Sequence, residues 1–164
     1  NRFGMLGINS KNKILQNFVY LLIGAIEGII TALLLKASLG FEIDNMFVYL
    51  ISSMLIGITF MSIIQFLIRN FGDIGKFLAL IILVLQLAAA GGTFPIETID
   101  KGFQVITPYL PMTYSIKLLR EILVPTASNF KGNYMLILTL ISIFAIVVTF
   151  IVDKIKLNNK NLEK

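Results

Sequence analysis

Residues 91–125 read GGTFPIETIDKGFQVITPYLPMTYSIKLLREILVP. This stretch decides how the rest of the chain is arranged, because it is too polar to cross a bilayer and too apolar to be a free loop. Ile96, Ile99, Phe103, Ile106 and Leu110 step by three and four residues, opposite Glu97, Asp100, Lys101 and Gln104. That spacing predicts a short amphipathic helix after Pro95, stopped by Pro108. A second helix is expected to start with Thr113 as its cap and to end at Pro125. It places Ile116, Leu119 and Leu123 on one side and Lys117, Arg120 and Glu121 on another. Each helix has about ten residues, or about 15 Å, half the thickness of a membrane. Two arrangements fit: a hairpin dipping into the outer leaflet with its polar face on neighbouring helices, or an amphipathic pair lying flat at the interface. In both, the chain enters and leaves on one side.

Outward from this segment the sequence is oily. Of 164 residues, 57% are hydrophobic and 14% charged, against about 45–50% and about 25% in soluble domains. A domain of this size cannot hide that much apolar surface in one core, so lipid is the expected solvent. Four stretches have the roughly 20 residues that about 30 Å of hydrocarbon requires: residues 14–35, 47–68, 77–94 and 134–152. The third meets Gly91 and Gly92 before it has gone far, which leaves three spans plus a re-entrant segment as the other arrangement. These glycines do not form a phosphate-cradling turn, since no Lys-Ser/Thr pair follows them. The fold class read from the sequence is therefore an all-α membrane protein of four transmembrane helices, with residues 95–125 a re-entrant helix pair on the outer side and residues 1–164 a single domain.

Lys and Arg are retained on the cytoplasmic side of short loops. With both termini inside, nine of the fourteen basic residues fall on inner segments, among them Arg69 and Lys76 in one tight turn. The five outer ones are Lys36, Lys101, Lys117, Arg120 and Lys131. The net charge of +5 is thus topological; no basic cluster interleaved with aromatics is present, so nucleic acid is not an expected partner. The chain has neither Cys nor His, which removes thiolate nucleophiles, Ser-His pairs, and zinc sites built on those ligands. No enzyme activity and no cofactor are expected. The chain opens at Asn1 without the order of a signal peptide, and is expected to be part of a longer protein.

In the first span Gln16, Asn17, Tyr20, Gly24, Glu27, Gly28 and Thr31 share about a third of the helical circumference. An acid at the position of Glu27 costs about 3 kcal/mol on insertion scales, while the Leu, Ile, Phe and Val of the span return roughly 4 to 8. Insertion wins, and Glu27 is read either as a proton, cation or ligand contact in a path, or as a carboxyl holding helices together. Small faces suited to close packing recur in the third span (Gly75, Ala79, Gln86, Ala90) and the fourth (Thr139, Ser142, Ala145, Thr149). In the second span, polar residues including Gln65 are spread around the helix, as expected where protein lies on several sides.

Residues 78–123, LALIILVLQLAAAGGTFPIETIDKGFQVITPYLPMTYSIKLLREIL, resemble the signature of the phage-infection-protein (YhgE/Pip) family, within the wider class of ABC type-2 transporter membrane domains. The residues that carry the resemblance are Gln86, Gly91, Gly92, Thr93, Phe94, Pro95, Pro108, Leu110, Pro111, Met112, Thr113, Tyr114, Arg120 and Glu121. It implies a multi-pass permease half in a bacterial cell membrane, with two earlier spans and an extracellular region before Asn1. It also implies a homodimer, a separate ATPase subunit touched by residues 1–13, and motif residues that shape an outer gate. Members look like phage-adsorption factors and relatives of type VII secretion components. The alternative is therefore a membrane anchor or scaffold, and the cargo implied for a permease is amphiphilic or envelope-related.

Overall fold

The computed structural model describes residues 13–92, 98, 100–124 and 130–162, with the side chains of residues 15–92, 98, 100–124 and 130–155. Among the described residues there are six α-helices and no strand: α1 (Lys13–Leu39), α2 (Met46–Phe71), α3 (Asp73–Ala89), α4 (Lys101–Ile106), α5 (Pro111–Leu123) and α6 (Lys131–Leu162). Three carry segments long and apolar enough to cross a membrane, Leu15–Leu39, Met46–Phe71 and Lys131–Ile155. The expected fourth span differs. Helix α3 has 17 residues, about 26 Å against roughly 30 Å of hydrocarbon. It starts at Asp73 rather than Phe77 and stops at Ala89, where Gly91 takes a φ of 73°, a conformation that ends helices and favours glycine.

The packing inverts that of a soluble protein. Buried positions carry Asn17, Ser52, Thr59, Ser62, Gln65, Gln86, Ser142, Thr149 and Asp153, whereas Phe18, Ile26, Leu34, Leu80, Val84, Leu140 and Phe144 are exposed. Such an outward apolar surface is stable only against lipid or other apolar partners. Helix α2 is central and touches α1, α3, α5 and α6, which accounts for polar residues all round it. Of the small faces expected on α3 and α6, Gly75, Gln86 and Ala90 are buried and Ala79 half-buried, and Ser142, Ala145 and Thr149 are buried and Thr139 half-buried.

Helices α1 and α2 run antiparallel in a fixed register. A Cβ on Gly24 would lie 2.8 Å from the Gly57 carbonyl oxygen, and one on Gly28 would overlap the Ser53 carbonyl. Two turns on from Gly24, Ala32 accepts a hydrogen bond from the Tyr49 hydroxyl at 3.2 Å. Small residues every four positions on α1 thus let the two backbones touch. Helix α2 is capped by Asn45, whose side chain accepts from Val48 N at 3.1 Å, as expected of an N-cap residue. It reverses into α3 through one residue, Gly72, at φ 61°. Immediately after, Lys76 Nζ lies 2.7 Å from Asp73 Oδ1 and holds that carboxyl below the ordinary carboxylate value.

Between α3 and α6 the expected helix pair is present with different boundaries. Residues 93–97, 99 and 125–129, and with them Thr93, Phe94, Pro95, Ile96, Ile99 and Pro125 of the predicted motif, lie outside the described residues. Helix α4 has six residues rather than ten and is capped by Asp100, which accepts from Gly102 N at 2.9 Å. A 3-10 turn, Thr107–Tyr109, continues it through Pro108. Helix α5 begins at Pro111, not after a Thr113 cap, and runs for 13 residues. A proline at the first helical position brings its φ already set, which places Thr113 inside the first turn.

Candidate functional site

Two polar clusters and one open groove are the places where this helical frame does something other than pack. The first cluster is the hairpin of α4 and α5 at one end of the bundle. Buried Thr107 donates to the Ala89 carbonyl at 2.7 Å, tying the 3-10 turn to the end of α3. Thr113 donates to the Thr107 carbonyl at 2.7 Å, and the Tyr114 hydroxyl to the Pro108 carbonyl at 2.6 Å. These bonds close the loop of Pro108 to Pro111 against α5, and the ring of Tyr114 stacks at a tilt on Tyr134 of α6, 6.4 Å away.

The hairpin is pinned further along α5. Arg120 Nη2 donates to the Gly91 carbonyl at 3.3 Å, and a Cβ on Gly92 would meet Ile116 at 2.9 Å. Glu121 is not on the open polar side with Lys117 and Arg120; it is buried, 6% exposed. Its Oε1 accepts from Phe130 N at 2.8 Å, one residue before α6 begins, where a negative charge complements the helix dipole. That local benefit explains why a residue read as solvated turns inward. Gln86 is 3% exposed and its Oε1 has no partner among the described residues. Of the predicted motif, Gln86, Gly91, Gly92, Pro108, Pro111, Tyr114, Arg120 and Glu121 therefore belong to one end of the bundle. Met112 is half-buried beside them in the first turn of α5.

The second cluster lies at the opposite end of α2. Arg69 Nη2 donates to Gln16 Oε1 at 3.1 Å and to Asn17 Oδ1 at 3.2 Å. Asn17 Nδ2 donates to Asp153 Oδ2 at 3.2 Å, and Arg69 Nη1 pairs with Asp153 Oδ1 at 3.7 Å. Gln65 Nε2 donates to the Asn17 carbonyl at 3.4 Å. Three helices are thereby joined through an ion pair whose acid is buried and whose guanidinium is part-buried, the side chains of Asp153 and Arg69 being 7% and 20% exposed. Buried charges persist only when paired and hydrogen-bonded. Sequence reading found Gln65 and Asn17 but missed Asp153. The available signal was an acid directly after the apolar run of α6, with Arg69 one helical turn beyond Gln65.

The predicted polar stripe of α1 divides. Asn17, Gly24 and Gly28 pack on α2, whereas Glu27 and Thr31 are exposed. Glu27 is at the centre of Leu15–Leu39 and has no hydrogen bond or ion pair among the described residues, so it does not hold helices together there. It opens onto a groove of about 290 Å³ lined by Gly28, Thr31, Ser53, Gly57, Phe60 and Leu119, among others. A second groove, of about 260 Å³ between α2 and α3, is lined by Lys76, Leu80, Leu83 and Gln86 with Phe60 and Ile64. No group of three acidic residues suited to a metal ion occurs among the described residues.

Comparison with known proteins follows the same outline. A family model described as the EsaA helical domain matches residues 3–151. The chain is 41% identical over 117 residues to "uncharacterized protein YhgE" of Bacillus subtilis (strain 168), a match that covers 71% of this chain and 15% of that relative. The chain thus spans a small part of the relative's length. No solved structure matches it. Apolar outward helices, the Gln86 to Glu121 hairpin and these two matches together place the chain in the YhgE/Pip family of membrane proteins, as its EsaA-type helical domain.

Proposed function

We propose that this chain is the membrane-embedded permease domain of an exporter-like protein of the ABC type-2 kind, moving an amphiphilic or envelope-related cargo with energy from a separate ATPase subunit. In this reading α3 is the fourth crossing, made short because the hairpin that follows it occupies the outer leaflet, and both ends of the chain lie in the cytoplasm. The observation that carries the reading is the α4–α5 hairpin. Its side chains tie it to the frame, Thr107 to the Ala89 carbonyl at the end of α3 and Glu121 to Phe130 N just before α6, which suits half-length helices held at membrane depth against protein rather than lipid. Such an element closes the outer end of a path while α1, α2 and α6 stay clamped at the inner end by Arg69 and Asp153. A homodimer supplies the rest of the path, since the hydroxyls of Ser62, Ser142 and Thr149 are taken up by carbonyls of their own helices.

Those self-satisfied hydroxyls equally favour a second reading, a membrane anchor or scaffold for phage adsorption or a type VII secretion-related assembly. Affinity purification of the full-length protein from its native cells separates the two. An ATPase that co-purifies, and is lost on Lys76→Glu in the first turn of α3 or on removal of residues 1–12, supports the permease. Phage adsorption that survives replacement of all the spans by unrelated ones, with no ATPase recovered, supports the anchor.

A further inference from the structure

The groove between α1 and α2 carries a combination that neither packing nor the hairpin uses. Glu27 is twelve residues from either end of Leu15–Leu39, about 18 Å by helical rise, and its carboxyl faces outward. An acid there costs about 3 kcal/mol on insertion scales if only lipid covers it. No Lys or Arg lines the groove among the described residues; Lys36, nine residues along the helix, projects from the opposite side of α1 and bonds toward Met46 Sδ at 3.7 Å. Thr31 stands one turn beyond Glu27 on the same groove. Across it is Ser53, 8% exposed, whose hydroxyl has no partner among the described residues. Around these three polar groups the wall is apolar: Leu35, Ile56, Phe60, Ile64 and Leu119.

We propose that this groove binds the cationic head of a single-chain amphiphile, an alkylammonium in the simplest case, with Glu27 as its counter-ion. An ammonium pairs with a carboxylate by a charge-assisted hydrogen bond and has further N–H groups to donate to the hydroxyl oxygens of Thr31 and Ser53; an acid or an alcohol head offers Glu27 no opposite charge. Phe60, also in the lining, adds an aromatic ring of the kind cations are attracted to. The alkyl chain follows the apolar wall toward Ile64. At about 290 Å³ the open groove is close to the lower end of small-molecule sites, near 300 Å³, room enough along its wall for one alkyl chain and a compact head. The proposal deepens the permease reading by naming a class of cargo and rests on that reading only for movement, not for binding.

The test uses the full-length protein in phosphatidylcholine nanodiscs and three diazirine-bearing C16 probes: the amine, the alcohol and the carboxylic acid. Crosslinked peptides are mapped by mass spectrometry. The amine is expected to label residues 49–64 and the region of Leu119 about tenfold more than the acid, and Glu27→Gln to remove about tenfold of that labelling, equivalent to about 1.4 kcal/mol. Thr31→Val, which keeps the shape of the side chain, should cost a smaller factor, about threefold. Removing the acid makes α1 more apolar, so the Glu27→Gln variant is expected to insert at parental levels. Equal labelling by all three probes overturns the proposal, as annular contact only. So does amine labelling unchanged in Glu27→Gln, or absence of labelling together with a disulfide between copies at Thr31→Cys, which assigns the face to a second copy. Selective binding without an ATPase partner would leave the site standing and remove the permease.

Discussion

Gly57→Ala tests whether α1 and α2 are held at backbone contact. The added Cβ would overlap the Gly24 carbonyl oxygen, and because the neighbour is backbone, no rotamer change relieves it. Overpacking of this kind costs about 1–3 kcal/mol, and the rigid neighbour places this site in the upper half of that range. Alanine returns up to about 1 kcal/mol of helix propensity, leaving a net loss of about 1–2 kcal/mol. At about 2–4 °C per kcal/mol for a chain of this size, Tm in detergent falls by about 2–8 °C. The control is Gly132→Ala at the start of α6, where an added Cβ meets nothing within 4 Å and no loss is expected. Melting followed by fluorescence-detected size-exclusion chromatography reads both variants. A Gly57→Ala variant as stable as the parent would show that the helices are not in contact at this level and would undo the register on which the Glu27 groove is built.

Arg69→Met takes the guanidinium from the buried Asp153 carboxyl, at a cost of about 3–5 kcal/mol; Asp153→Asn should cost less, because Arg69 is part-exposed and keeps its bonds to Gln16 and Asn17. Because they share one network, a double-mutant cycle of Arg69→Met and Asp153→Asn in detergent unfolding should give a coupling of at least about 1 kcal/mol. Glu121→Ala deletes the bond from Phe130 N and a favourable charge before α6, and should cost about 1–3 kcal/mol and increase proteolysis between α5 and α6. The Asp73 carboxyl should titrate below its ordinary value and return to it in Lys76→Met, as read by carbon NMR of the carboxyl. With a folded pKa depressed, its small stabilisation is present above the unfolded pKa and is lost as pH falls through the folded one.

Much of the frame was legible because a long apolar run has few alternatives in water. Residues 14–35 foretold α1, and Gly75, Gln86 and Ala90 foretold the inward face of α3. The break at Gly91 was also readable, since glycine both weakens a helix and admits its positive φ. What escaped was set by partners distant in sequence. Asp153 lies 136 residues from Asn17, and no local pattern announces their bond. Glu121 was assigned to the polar side of α5 by periodicity, yet the start of α6 pulls it inward. The stripe of α1 read as one face because helical angle alone cannot tell that α2 covers only its glycine edge, leaving Glu27 and Thr31 outside.

The central claim is the membrane path of the chain, and its 164 residues contain no cysteine, so single cysteines report it cleanly in a background stripped of any others. Asp44, Gly72 and Lys117 are exposed in the structure and mark the α1–α2 loop, the α2–α3 turn and the hairpin. A membrane-impermeant maleimide added to intact cells is expected to label Asp44→Cys and Lys117→Cys, and to reach Gly72→Cys only after permeabilisation. Labelling of Lys117→Cys only after permeabilisation, with Asp44→Cys still outside, would put the hairpin on the cytoplasmic side and contradict the path drawn here.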